Sequence, residues 1–450
     1  MVFARRGIVW WMSCLSAMRI VDGQSASRRE PEANLAFDIE TCTVADGCRK
    51  VPGKLTLDAD WRAVKDGRTG QKDCLDRQTG QWDQALCPDP LTCAQNCALG
   101  RVDYSQERIT TNSLADSLDL KLFKPEGHRE GSRLYLLDQQ DQYRLFFLLN
   151  KELAFDIDVS NAPCGVAPAV YFSAMKGDGG ASPSNTAGPT YGTGYCDAQG
   201  PRNMHFVQGK ANLAGEVGYA CPELDIWEGN SISQSFAVHN CDDVDARTCS
   251  GKNCGKMCDG SGCDFASYRM GNTSFYGPLK RVDTTKKFTV VTQFITADQS
   301  DSGELVEIRR YYRQAGRRIE NSLVEIPSAG TNGSSRPLRS DSLSDQFCDQ
   351  VERSFGRTDG FRRMGGMRKM GQSLAQGMVL VFTIWADHVR GMSWLDGIAP
   401  HPDPLKPGSA SRGTCPPGVG LPSNIKKLHP DAGAVFSNIR VGPIGSTYRN

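Results

Sequence analysis

The sequence predicts an all-β protein, an antiparallel sandwich with long loops, on three observations. Glycine supplies 47 of the 450 residues and proline 23, a turn-rich composition that suits many short strands better than long helices. Extended apolar runs recur along nearly the whole chain, separated by Gly, Asn and Asp clusters. Helical periodicity is weak outside two short stretches.

The strand signals run in order. Leu134–Leu137, Arg144–Leu149, Leu153–Val159, Phe288–Phe294 and Met378–Trp385 all read as extended. Leu153–Val159 alternates apolar and acidic residues, so one of its faces meets polar surroundings. Glu307–Arg313 and Arg317–Glu320 flank Gln314-Ala315-Gly316, which reads as a hairpin turn. The helical stretches are Ser342–Phe355 and Met367–Gln376. The segment Ile326–Asp345 is polar and serine-rich, and reads as mobile surface. No repeat or linker interrupts this series and no small Cys-rich module stands at either end, so residues 24–450 are expected to form one domain.

The N-terminus has its own logic. Arg5 and Arg6 precede an apolar stretch of 11 residues, Ile8–Met18. Spanning a bilayer of about 30 Å takes about 20 residues, so this stretch is too short. Val21 and Gly23 suit a cleavage site before Gln24. Residues 1–23 therefore read as a secretory signal peptide rather than a buried terminal segment, and the chain as secreted.

Charge excludes other classes. With 52 basic and 51 acidic residues the formal net charge is +1, so neither nucleic acid nor an anionic membrane is an expected partner. The Arg/Tyr-rich hairpin and the basic stretch from Arg362 to Lys369 read as solvated faces.

Cysteine is the sharpest number: 17, and odd. Signal removal discards Cys14 and leaves an even set. Zinc sites want CxxC pairs or Cys/His clusters. The chain has no CxxC, and its six histidines are scattered. Structural disulfides are expected rather than a metal site; spacing alone leaves their connectivity open.

The chemistry concentrates in Glu223-Leu224-Asp225-Ile226-Trp227-Glu228. On a helix, Glu223 and Glu228 would lie about 140° apart and could not face one site. On a strand, Glu223 and Asp225 share a face. Glu228 is out of phase, and one extra residue, a β-bulge, would return it to that face. Three neighbouring carboxylates repel, so proton sharing and separated pKa values follow. Glycoside hydrolysis needs such a pair, one ionised and one protonated. A polar strand face that binds calcium or solvent fits the pattern alone equally well.

Longer motifs break that tie. Glu223 to Asn230 reads Glu-x-Asp-Ile-Trp-Glu-x-Asn. With Tyr191–Asp197, Arg269–Pro278 and Phe436–Ser446, it resembles glycoside hydrolase family 7, secreted cellulases of fungi and some protists. Gly229 stands where that family usually has Ala. The resemblance runs from about Leu35 to Tyr448. It implies a concanavalin-like β-jelly-roll sandwich, rich in disulfides, whose long loops form a substrate cleft. It implies retaining hydrolysis of β-1,4-glucan by a monomer, with no metal or organic cofactor and no separate carbohydrate-binding module expected.

By position, Glu223 resembles the nucleophile and Glu228 the general acid/base. Asp225 would orient the nucleophile, and His239 resembles an auxiliary active-site histidine. Trp61, Trp385 and Trp394 match sugar platforms. Tyr171, Tyr195, Asp197, Gln199, Asp264, Arg269 and Arg412 match positions that contact glucose hydroxyls. Taken singly, His239 would be an ordinary surface histidine and each Trp a core residue.

Departures bear on mode. The chain is shorter than tunnel-forming members between Asn212 and Cys221 and between Cys254 and Cys258. Ala63 and Ala167 replace a tunnel-entrance tryptophan and a substrate-contacting asparagine. An open groove and endo action on cellulose are expected, with a cellobiohydrolase as the alternative. A non-catalytic glycan-binding or wall protein is the third reading. The loop Ile326–Asp345 is long enough to cover one end of the groove.

The resemblance also implies the bridges Cys42–Cys48, Cys74–Cys97, Cys87–Cys93, Cys164–Cys415, Cys196–Cys221, Cys241–Cys258, Cys249–Cys254 and Cys263–Cys348. Two further family bridges have each lost both partners, at Ser27 with Ala98 and at Gly200 with Ala220. Asn272 and Asn332 begin glycosylation sequons.

Overall fold

A computed structural model describes residues 24–26, 32–77, 79–327, 337–356, 360–398 and 410–448. The signal segment 1–23, Ser27 and Asn332 lie outside the described residues.

Two large sheets pack face to face. The cleft sheet uses β1 (Leu35–Ala36), β4 (Lys54–Leu57), β5 (Ser132–Leu137), β7 (Val166–Ser173), β8 (Glu223–Gly229), β9 (Gln234–His239), β10 (Cys263–Phe265) and β14 (Met378–Ala386). Their order across the sheet is β1-β4-β5-β14-β7-β8-β9-β10. The outer sheet uses β2 (Ile39–Thr43), β3 (Gly47–Val51), β6 (Lys151–Asp158), β11 (Phe288–Thr296), β12 (Leu305–Gln314), β13 (Arg317–Glu320) and β15 (Gly433–Pro443). Their order is β13-β12-β11-β6-β15-β2-β3. Pairing is antiparallel in both sheets except at β2 and β15, near the two ends of the chain, which run parallel.

The core lies between the sheets. From the cleft sheet it takes Val170, Phe172, Leu224, Leu380 and Phe382; from the outer sheet it takes Phe155, Val290, Ile308 and Phe436. Met378–Trp385 reads as an unbroken apolar run because both of its faces are covered. Leu380 and Phe382 point into the core, while Val379 and Val381 pack with Tyr135, Tyr171 and Tyr195 on the cleft side.

The alternating strand β6 puts Glu152 and Asp156 on its outer face, where they meet donors rather than open solvent. Glu152 accepts from the Thr447 N–H at 2.8 Å and from Gln293 at 2.8 Å. Asp156 accepts from Thr289 at 2.6 Å and Asn438 at 2.8 Å. These bonds tie the C-terminal segment to the outer sheet.

Other expectations need adjustment. Of Arg144–Leu149, only Leu145–Phe146 is a strand; the chain then turns, with Asn150 at φ 56° and Phe147 exposed. The hairpin turn is a two-residue link, since Gln314 pairs with Arg317, and both Ala315 and Gly316 have positive φ. The two helical stretches appear as α1 (Asp345–Ser354) and α2 (Gly366–Gln376). The segment Ile326–Asp345 is not all loop: Val324–Ile326 pairs with Leu338–Ser340.

The structure holds eight disulfides: Cys42–Cys48, Cys74–Cys97, Cys87–Cys93, Cys164–Cys415, Cys196–Cys221, Cys241–Cys258, Cys249–Cys254 and Cys263–Cys348. The thiols of Cys74, Cys87 and Cys97 cluster, but all three are consumed in bridges. A side-chain carbon at Gly200 would lie 3.4 Å from that of Ala220, close to the separation a disulfide requires.

Candidate active site

Strand β8 builds the site. Against β7, Val170 faces Trp227 while Tyr171 faces Asp225, so Ile226 is one residue extra. Against β9, Asp225 faces Ala237 and Glu228 faces Ser235, with the same slip. Ile226 and Trp227 both turn into the core, at 1% and 0% exposure. Glu228 therefore rejoins Glu223 and Asp225 on the cleft face. The bulge turns an out-of-phase acid into a facing one.

His239 comes from the neighbouring strand, opposite Glu223 in the ladder. Its Nε2 lies 3.1 Å from Asp225 Oδ2, and its Nδ1 lies 2.9 Å from the Asp259 carbonyl oxygen. Burial opposes its charge. The hydrogen bond to Asp225 and the charges of Asp225 and Glu223 outweigh that and hold it at about 10.

The carboxyls respond to the same surroundings. Burial, then the charges of Asp225 and Asp197, hold Glu223 well above the usual carboxylate range. Burial and Asp225 push Glu228 up to about 8. Donors oppose both shifts. Glu223 Oε2 accepts the Ala198 N–H at 3.1 Å and faces His239, both of which favour its ionised form. The Trp385 indole and His239 do the same for Glu228. The two acids cannot both ionise cheaply, so they share a proton.

These four residues line one cleft of about 1210 Å³. Trp61, Tyr171, Tyr195, Asp197, Gln199, Asp264, Arg269, Trp385, Trp394 and Arg412 line it too. Tyr171 and Tyr195 share a hydroxyl contact at 2.9 Å, and Tyr195 donates to Asp197 at 2.7 Å. Arg269 donates to both oxygens of Asp264 at 3.2 Å. Gln199 donates to the Gly260 carbonyl at 2.8 Å. Trp385 and Trp394 lie 5.9 Å apart at 30°, and Trp385 is 37% exposed, so it presents ring surface to the cleft. Trp61 does not: it is 7% exposed, with the Arg129 guanidinium 4.2 Å from its ring centroid.

Ala167 is fully buried beneath Met392 and Leu395. None of the described residues of Ile326–Asp345 lines the cleft. Asn272 is half-buried, with its side-chain oxygen 3.4 Å from Ser274 Oγ.

The motifs did not reveal Arg133, which lies 3.2 Å over the Tyr195 ring and is held by Asp58 at 2.9 Å. A signal existed. Arg133 and Tyr135 alternate with Leu134 and Leu136, which places both on the cleft side of β5.

The chain matches the family model for glycosyl hydrolase family 7 over residues 26–448. It is 39% identical to a family 7 cellobiohydrolase from Daphnia pulex, at TM-score 0.87, covering 94% of this chain and 100% of that one. A cellobiohydrolase from Melanocarpus albomyces, complexed with cellotetraose, matches at 36% identity and TM-score 0.84, covering 95% and 100%. An endocellulase from Humicola insolens matches at 34% identity and TM-score 0.79, covering 93% and 99%. With a family match over this span and the same sandwich in these enzymes, the chain belongs to glycosyl hydrolase family 7.

Proposed function

We propose that the chain is an exported, retaining β-1,4-glucanase that cuts internal bonds of cellulose or a related β-glucan. The bulge at Ile226, which aims Glu223 and Glu228 into one cleft, carries this reading. In the first step, Glu223 attacks the anomeric carbon as the glycosidic bond breaks. The leaving oxygen takes the proton of Glu228. In the second step, water attacks the same carbon, gives its proton to Glu228 and releases Glu223. Asp225, paired with His239, orients the nucleophile. The glucan class rests on the cellotetraose bound by the Melanocarpus relative. Export rests on the leader-like residues 1–23 and the eight disulfides, which persist in oxidising compartments.

Endo action is supported by exposed residues along the cleft, including Gln199, Ser261, Trp385 and His388. A second reading, a cellobiohydrolase, has its own support: the two cellobiohydrolases superpose at 0.87 and 0.84, the endocellulase at 0.79. Carboxymethylcellulose separates the two. Rapid viscosity loss per reducing end released is the endo result. Cellobiose release with little viscosity loss overturns it. No hydrolysis at all would leave the glycan-binding reading.

A further inference from the structure

We propose that the Trp61 end of the cleft is a subsite for an oxyanion carried on the sugar chain, a carboxylate or a sulfate ester, held by Arg77 and Arg129. The inference rests on the glucanase reading and narrows its substrate class.

A neutral sugar ring stacks on a bare aromatic face. Trp61 offers little of one. Its indole N–H is fixed on the Glu130 carbonyl at 3.3 Å, and the Arg129 guanidinium occupies its ring at 4.2 Å. Arg129 in turn donates to the Asp60 carbonyl at 3.4 Å. Arg77, from the opposite loop, donates to the Trp61 carbonyl. Both arginines line the cleft.

The acids nearby make their contacts elsewhere, although the charges of Asp60 and Asp58 still act on Arg129. Asp58 pairs with Arg133 at 2.9 Å. Asp60 accepts the His205 N–H at 2.9 Å. Glu130 lies 3.6 Å from His388 and 3.9 Å from Lys426. Among the described residues, neither Arg77 nor Arg129 is ion-paired. Two guanidinium forks, anchored only on carbonyls, thus face a cleft that a glucan would occupy. Such forks match carboxylate and sulfate geometry, and a hydroxyl cannot supply the missing charge. What this end presents to an incoming ring is N–H donors and positive charge, with Arg129 seated on the indole and Arg77 on the Trp61 carbonyl.

The test uses three cello-oligosaccharides of equal length: neutral, carboxylated at C6, and sulfated at C6. Calorimetry measures binding to the full chain carrying Glu223→Gln, and hydrolysis is followed with the unmodified protein. An anionic ligand should bind about tenfold tighter than the neutral one, and the advantage should shrink with added salt. Whichever anion gains more names the source. Arg77→Ala should erase the advantage. Arg129→Ala should erase it and also tighten neutral binding, because the indole is then bare; a merely structural arginine would not produce opposite changes. Equal affinity for all three ligands, or an advantage that survives both substitutions, overturns the proposal. Failure to hydrolyse any of them overturns the glucanase reading instead, and the binding comparison still decides the subsite.

Discussion

His239 and Asp225 form a pair whose protons are set by a third group. The Asp259 carbonyl, 2.9 Å from Nδ1, can only accept, so Nδ1 carries a hydrogen. Nε2, 3.1 Å from Asp225 Oδ2, faces a carboxylate. With the ring held at about 10, both nitrogens are protonated at neutral pH. His239 thus faces Asp225 as a charged donor, and the mobile proton of the site is left to Glu223 and Glu228.

Glu223→Gln and Glu228→Gln should each lower kcat on a soluble glucan by at least about a thousandfold, within the range that positioned acids and bases contribute. The fold should persist, because each change relieves repulsion at a buried carboxyl. Activity assays beside thermal melts check this. Full activity in either variant sinks the two-carboxylate mechanism.

The pH profile should be a bell whose limbs both sit high. Glu228 must hold its proton, so the rate falls as pH rises through about 8. Glu223 must be ionised, and its carboxyl is held above the usual range, so acid inactivation sets in early. Asp225→Asn removes a charge that raises both groups and should move the bell to lower pH. His239→Asn removes a cation that lowers both and should move it to higher pH. Shifts of the same sign in the two variants would contradict this account.

How far the site was legible depends on whether its residues are local in sequence. Glu223, Asp225 and Glu228 declare a strand and a bulge by their spacing, because the two-residue period of a strand leaves no other way to unite them. The extended runs at β5, β6, β11 and β14 were legible as strands from composition and turn signals. The arginine cover on Trp61 was not legible. Arg129 reaches the ring and Arg77 the backbone carbonyl of Trp61 only through tertiary folding, and no local period reports such a meeting. Arg144–Leu149 misled because composition alone does not reveal where a strand stops: it ends at Phe146, and the turn with positive φ at Asn150 follows.

Thiol titration under denaturing, non-reducing conditions should find no free thiol in the exported protein. The sixteen cysteines of the described residues are all bridged, and Cys14 belongs to the predicted leader. One thiol per chain would mean that Cys14 is retained and the cleavage reading is wrong.

Cys164–Cys415 should matter to both stability and substrate binding. Its partners are 251 residues apart, so it closes the longest loop and removes the most freedom from the unfolded chain. The chain-entropy model puts this at about 5 kcal/mol. The bridge also clamps the edge of the cleft. Beside it, the Gly165 N–H donates to Asp396 at 2.8 Å, and Asn230, at the end of the acidic motif, donates to Asp396 at 2.7 Å. Asp396 follows Trp394 in a short helix, and Ser233 ties the Arg412 carbonyl at 2.5 Å. Replacing both cysteines by serine should lower the denaturation midpoint and raise KM more than it lowers kcat, because Trp394 and Arg412 loosen while Glu223 and Glu228 stay on β8. The same change at Cys42–Cys48, six residues apart on the outer sheet, should leave KM alone. Equal KM effects from the two pairs would show that the clamp does not reach the cleft.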